Sequence, residues 1–175
     1  NADCGGLISY NYISGEPITG LADGRPLFVR SASDKFNLAN FMRTHLYASV
    51  GVLKIGNDIL FNEEKIKVDR ITAHGGLFKT KGVGQRILAA AINSPISVME
   101  TAGEGGAWGI ALLASYLVNN GNCQSLADFL DKDVFTGDAG IEISPTAEDV
   151  SGFNTYIERY KAGLPIEEAS VRFKN

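Results

Sequence analysis

Cysteine is scarce in this sequence, and its two copies show no pairing pattern. Cys4 and Cys123 lie far apart and lack CxxC spacing, as expected of free thiols in a reducing cytosol. Positive charge is also thin: 16 Lys and Arg against 20 Asp and Glu leave a net charge of −4, with a pI near 5.2. With no long basic run, nucleic acid is not an expected partner. Phosphate ligands stay open, since backbone amides at helix N-termini hold them without a basic surface. No stretch approaches the roughly 20 apolar residues of a membrane span, and no signal peptide is visible. A cytoplasmic protein with no membrane partner is the expectation. The chain opens on Asn1 instead of Met, as a processed product or a piece of something larger would. Low-complexity segments and a GxxxxGK[ST] phosphate loop are missing too. What is present is ordinary: 45% hydrophobic and 21% charged residues in 175 positions predict one α/β domain with a real core.

The organising stretch is Val68 to Ala114, which reads strand, glycine turn, helix, strand, glycine turn, helix. Val68, Ile71 and Ala73 form an apolar segment that stops at Gly75-Gly76, a pair that admits close backbone approach and positive φ. Thr80 can cap the next helix, with Val83, Ile87, Leu88, Ala91 and Ile92 at helical spacing. Asn93-Ser94-Pro95 ends it, because proline disfavours helical backbone at the preceding residue. Ile96 to Met99 is the second strand, Thr101 to Gly106 the second turn. Ala107 to Val118 is apolar nearly all round, predicting a buried helix. Two short βα units predict a parallel-centred sheet, with Ile71 and Val98 in neighbouring strands and a ligand edge at the glycine turns.

Around this block the sequence predicts a strand within Leu7–Ile13, a loop containing Ser14-Gly15-Glu16, and a short strand at Leu27-Phe28-Val29. Glu16 reads first as an exposed turn residue. Ser33-Asp34 is the expected cap of a helix from Lys35 to Phe61 that packs on one face of the sheet. Its apolar face would be Leu38, Met42, Leu46, Val50, Leu53 and Leu60. His45 on that helix reads as a packing or surface residue. After the central block come a C-cap signal at Asn119-Asn120-Gly121 and a capping box at Ser125–Asp128. An acidic surface loop from Asp131 to Asp149 lacks the calcium-loop order of ligands, so no metal site is expected. A final helix is capped by Thr146, with Phe153, Tyr156, Ile157 and Tyr160 in the core and a break at Gly163-Leu164-Pro165.

The second glycine turn, Gly103 to Gly109, falls short of the dinucleotide fingerprint. GxGxxG begun at Gly103 requires glycine or alanine where Trp108 stands, and no acidic residue follows about 20 positions on. From the residues alone, both a nucleotide role and tight helix–strand packing stand.

Three segments in order resemble the C-terminal domain of the FGGY-family carbohydrate kinases, of the xylulokinase and ribulokinase kind. Tyr12-Ile13-Ser14-Gly15-Glu16 is similar to the family's SGE segment. Ile71 to Thr80, ITAHGGLFKT, is similar to its adenosine motif. Gly106-Ala107-Trp108-Gly109-Ile110-Ala111 is similar to the GAxGAA segment that begins the last core helix. Phe28 to Gly51 takes the place of the second family signature. Pro17, where many members carry Arg, and Tyr47, where an acidic residue is common, depart from the pattern and bear on sugar identity.

The resemblance implies a ribonuclease H-like, actin-like ATPase fold spanning residues 1–175, with a core of 6–120 and a helical extension over 121–175. It implies ATP-dependent phosphorylation of a sugar hydroxyl, with a pentulose such as xylulose or ribulose as acceptor and ATP and Mg2+ as cofactors. The nucleotide-binding residues it implies are Gly75, Gly76, Leu77 and Thr80. Glu16 would border the substrate cleft, and Ala107 and Gly109 would let the last helix pack closely. The family's N-terminal kinase domain, with its phosphate hairpin and base Asp, has no counterpart in the sequence, so no catalytic residue is assigned and the chain alone is expected to be inactive. A homodimer is compatible with the family. Two other readings are a dinucleotide-binding oxidoreductase domain and a non-catalytic actin-like module.

Overall fold

The computed structural model describes residues 1–68, 71–99, 103–119, 124–136 and 140–173. In chain order the elements are β1 (Ile8–Tyr10), β2 (Leu27–Val29), α1 (Leu38–Asp58), β3 (Ile71–Ala73), α2 (Val83–Ile92), β4 (Ile96–Val98), α3 (Gly105–Asn119), α4 (Leu126–Phe129), β5 (Ile141–Ile143) and α5 (Ala147–Arg172). They fall into two compact units. One comprises Asn1–Asp69, Ile87–Ser94 and Pro145–Asn175, the other Arg70–Arg86 and Pro95–Ser144, so the division lies within α2.

In the first unit β1 and β2 pair antiparallel, Ile8 opposite Val29 and Tyr10 opposite Leu27. The second strand is where the sequence puts it. The first stops at Tyr10, and Ile13 is exposed. The cap of α1 is Asn37, whose side chain accepts the Asn40 N–H. Asp34, expected to cap, instead accepts the Ser31 N–H. Of the apolar face expected for α1 only Val50 is buried; the rest of the buried face is Asn40, Thr44, Tyr47, Ala48 and Gly51, while Leu38, Met42 and Leu53 stay exposed. Polar bonds explain the rotation. Thr44 donates its hydroxyl to the Leu7 carbonyl at 3.1 Å, and Tyr47 donates to the Ala2 carbonyl at 2.9 Å. These partners set α1 on β1, the Cys4–Gly6 turn and α5 within its own unit, where the sequence reading had placed it on the parallel sheet.

The core of this unit is aromatic. Tyr10, Tyr47, Phe153, Tyr156 and Tyr160 are all buried, together with Leu7 and Ile157, and their rings meet at tilted or edge geometries typical of such clusters. Cys4 is a buried free cysteine whose thiol pKa burial pushes up to about 12. His45 stacks among Phe28 and Phe41 and lies 3.0 Å from the Ser9 hydroxyl, a packing role.

Thr146 caps α5 as expected, accepting the Asp149 N–H at 3.1 Å. The anticipated break at Gly163-Leu164-Pro165 does not occur, and α5 runs on to Arg172. Proline removes one helical hydrogen bond, but tertiary bonds hold the helix on both sides of it. Before Pro165, the Tyr10 hydroxyl donates to the Tyr160 carbonyl at 2.8 Å; after it, the buried Glu167 carboxylate accepts the Arg25 N–H at 2.7 Å.

In the second unit β3 and β4 pair parallel, Ile71 opposite Ile96 and Ala73 opposite Val98, as the two βα units require. β5 adds antiparallel to β4, Ile96 opposite Ile143. It lies inside the segment expected to be an acidic loop, and its apolar–polar alternation, Ile141-Glu142-Ile143, is the strand signal there. The capping box at Ser125 forms, with Ser125 Oγ accepting the Asp128 N–H. The C-cap signal at 120–121 and Cys123 lie outside the described residues.

Helix α3 contradicts its sequence. Read as a buried helix, it has no buried residue among those described, and Ile110, Leu117 and Val118 are 69%, 77% and 82% exposed. Its described contacts include Trp108 against Phe135 and Tyr116 against Phe129. Leu117→Glu is therefore expected to change the stability of the chain by less than about 0.5 kcal/mol. A shift in the urea midpoint larger than that would place Leu117 in a core.

Candidate nucleotide site

The site is built where β3 ends. Ala73 is the last buried residue of the strand, and Gly75 then takes φ 111°, a conformation closed to side chains, which turns the backbone into the single 3-10 turn Gly76–Phe78. The Val83 N–H bonds the Thr80 carbonyl as α2 begins, so Thr80 enters the helix start through its backbone. A Cβ placed on Gly75 or on Gly76 would meet no atom of the described residues within 4 Å, chain neighbours aside. These glycines are not packed against protein, and the backbone they leave bare faces open space.

Beside this turn lies a cleft of about 400 Å³, lined by Phe78, Thr80, Gly82, Val98, Met99 and Ile143 among others. Its walls are mainly apolar. Across it Lys79 of the turn and Glu104 before α3 form an ion pair at 2.6 Å, and the lysine holds the Glu104 carboxyl below its usual range. The second glycine turn thus meets the first through charge. At Gly105 a Cβ would press on the His74 ring, a close approach that requires glycine.

Deeper in the cleft sits Gln85, at the start of α2 and only 5% exposed. Its amide nitrogen donates to the carbonyls of Ile96 and Ile141 at 2.6 and 2.5 Å. It thereby ties α2 to both β4 and β5. Sequence reasoning missed Gln85; the available signal was a polar residue at a core position, three and four residues before Leu88 and Ala89.

Of the residues anticipated at the site, Gly75, Gly76, Leu77 and Thr80 share one turn, and Thr80 also lines the cleft. Leu77 packs its carbonyl and side chain close to Gly84. Glu16 belongs to the first unit. Its carboxylate accepts the Ile18 N–H at 2.9 Å and its backbone bridges to Leu21, so it closes its own turn.

Comparison with known proteins decides the family. Residues 1–118 match the C-terminal domain of the FGGY family of carbohydrate kinases. The chain belongs to that family. Its fold is accordingly the ribonuclease H-like, actin-like fold of a sugar kinase C-terminal domain. A crystal structure of Plasmodium falciparum glycerol kinase with ADP superposes at a TM-score of 0.58 and 20% identity, over 91% of this chain and 31% of that one. The FGGY chain thus spans about a third of that kinase. No curated protein matches it.

Proposed function

We propose that this chain is the adenosine side of an ATP-dependent sugar kinase. Family membership makes phosphorylation of a carbohydrate the reaction class. The observation that carries the assignment to this part of the chain is the open glycine turn: Gly75 and Gly76 expose bare backbone at the end of a parallel strand, with no atom of the described residues where a side chain would stand. Ligands of parallel α/β sheets bind at such carboxyl edges. In this reading Gly76 and Leu77 lie against the base and ribose, Thr80 borders them, and the adjoining cleft accepts a flat heteroaromatic group between apolar walls. The 400 Å³ cleft falls within the size range of small-ligand pockets.

ATP supplies the phosphoryl group in such a reaction, and transfer depends on positioning and electrostatic stabilisation. Mg2+ is the family's accompanying ion. Among the described residues no group of three or more His, Cys, Asp or Glu is placed to hold a metal. The acceptor we favour is a pentulose such as xylulose or ribulose, on the resemblance of the SGE and adenosine segments. Glu16 is proposed at the edge of that sugar's cleft. Residues 1–175 are taken as a single FGGY C-terminal domain that works with an N-terminal kinase domain, in the cytoplasm.

The isolated 175-residue chain is expected to phosphorylate neither xylulose nor ribulose. A coupled ADP-release assay on pure protein checks this; sugar-dependent turnover would put the phosphate loop and base within this sequence. Tight NAD binding without ATP binding would favour the oxidoreductase reading instead, and loss of all nucleotide binding would favour a non-catalytic module.

A further inference from the structure

The geometry points to Gln85 as the residue that reads the base, selecting a purine that carries an exocyclic amino group. This rests on the nucleotide reading of the cleft above. The first step is the orientation of the amide. The end of the Gln85 side chain that lies 2.6 and 2.5 Å from two carbonyl oxygens, of Ile96 and Ile141, must be the NH2, because an amide oxygen there would face two acceptors at contact distance. Both amide hydrogens are thereby committed to the ends of β4 and β5, and the amide plane is fixed by the sheet.

The second step concerns what remains. Oε1 lies in that same plane, across Cδ from the NH2, on a side chain that lines the cleft and is only 5% exposed. Among the described residues none donates to it, and it is not one of the side-chain atoms sealed off without a partner. Oε1 is therefore not sealed inside the protein, on a residue that lines the cleft, and it can only accept. It cannot switch roles by flipping, since a flip would break two hydrogen bonds to backbone. A ligand seated there satisfies a buried acceptor only if it brings a donor. Among purine bases the 6-amino group of adenine is such a donor; a 6-unsubstituted purine, which has no N–H on that edge, leaves Oε1 dry and unpaired, which costs more than the bond is worth. Val98, Met99 and Ile143 bring no polar side chain to the surrounding walls; the polar side chains of the cleft besides Gln85 are those of Lys79, Thr80, Lys81 and Glu104.

The test compares two probes that differ only in the amino group: ADP and the diphosphate of 6-unsubstituted purine riboside. Calorimetric titration of the whole chain is expected to show ADP bound about 10-fold more tightly, with the Gln85 side-chain amide resonances shifting on ADP and barely on the analogue. In Gln85→Leu the preference is expected to fall to near unity. If that variant does not fold, the amide resonances of the unsubstituted chain decide alone. Equal affinities, or a preference that persists in folded Gln85→Leu, would overturn the role of Gln85 and leave the nucleotide site standing. Failure of both probes to bind would overturn the nucleotide reading and this inference together.

Discussion

Gly163→Ala is expected to destabilise the chain by about 1–3 kcal/mol, the cost of overpacking a filled interior. The direction runs against helix propensity, by which alanine is the better residue by about 1 kcal/mol. Packing decides it. Gly163 lies in the middle of α5 and is buried, and a methyl group there would overlap the hydroxyl of Tyr10. That hydroxyl cannot simply retreat, since it is buried and donates to the Tyr160 carbonyl, and the Tyr10 ring is tilted against that of Tyr160 with centroids 4.8 Å apart. Displacing it loses a hydrogen bond as well as ring contact. The companion measurement is Tyr10→Phe, alone and in the Gly163→Ala background. Removing the hydroxyl should recover part of the loss, giving a favourable coupling in the double-mutant cycle. Strictly additive urea midpoints would mean that the hydroxyl is not what the methyl meets.

Gly76→Val should do the reverse, leaving stability nearly unchanged while weakening ADP binding about 10- to 100-fold. The two adjacent glycines separate cleanly here. Gly75 sits at φ 111° and any side chain there is strained; Gly76 is not among the residues with positive φ. A valine at 76 also meets no atom of the described residues near its Cβ. The space it enters is the one assigned to adenosine. Calorimetry with ADP, alongside thermal unfolding, checks both halves. Undiminished ADP affinity in the folded variant would make the turn structural only.

The parts of the fold legible in the sequence are those set by local chemistry. The β3–α2–β4 unit shows itself through a short apolar run, paired glycines, helical periodicity and Pro95. Thr146 and Ser125 cap where their side chains predict, because the cap bond spans only three residues. The aromatic stripe of α5 is core for the same periodic reason. The misses are tertiary. The face of α1 is set by Thr44 and Tyr47 reaching the carbonyls of Leu7 and Ala2, partners remote in sequence that no apolar count registers. Continuity of α5 through Pro165 depends on Tyr10 and Arg25 in the same way. Helix α3 is apolar nearly all round, yet none of its residues is fully buried among those described. At the site, the glycine turn could be read directly, while the ion pair of Lys79 with Glu104 and the double bond of Gln85 to two strands needed the sheet to be assembled first.

The most direct test of a nucleotide site at this turn is a titration of the 15N-labelled chain with ADP, followed residue by residue in amide spectra. Saturable shifts are predicted at Gly75, Gly76, Leu77 and Thr80, extending to Gln85 along the cleft. Shifts confined to other residues, or none that saturate, would contradict it.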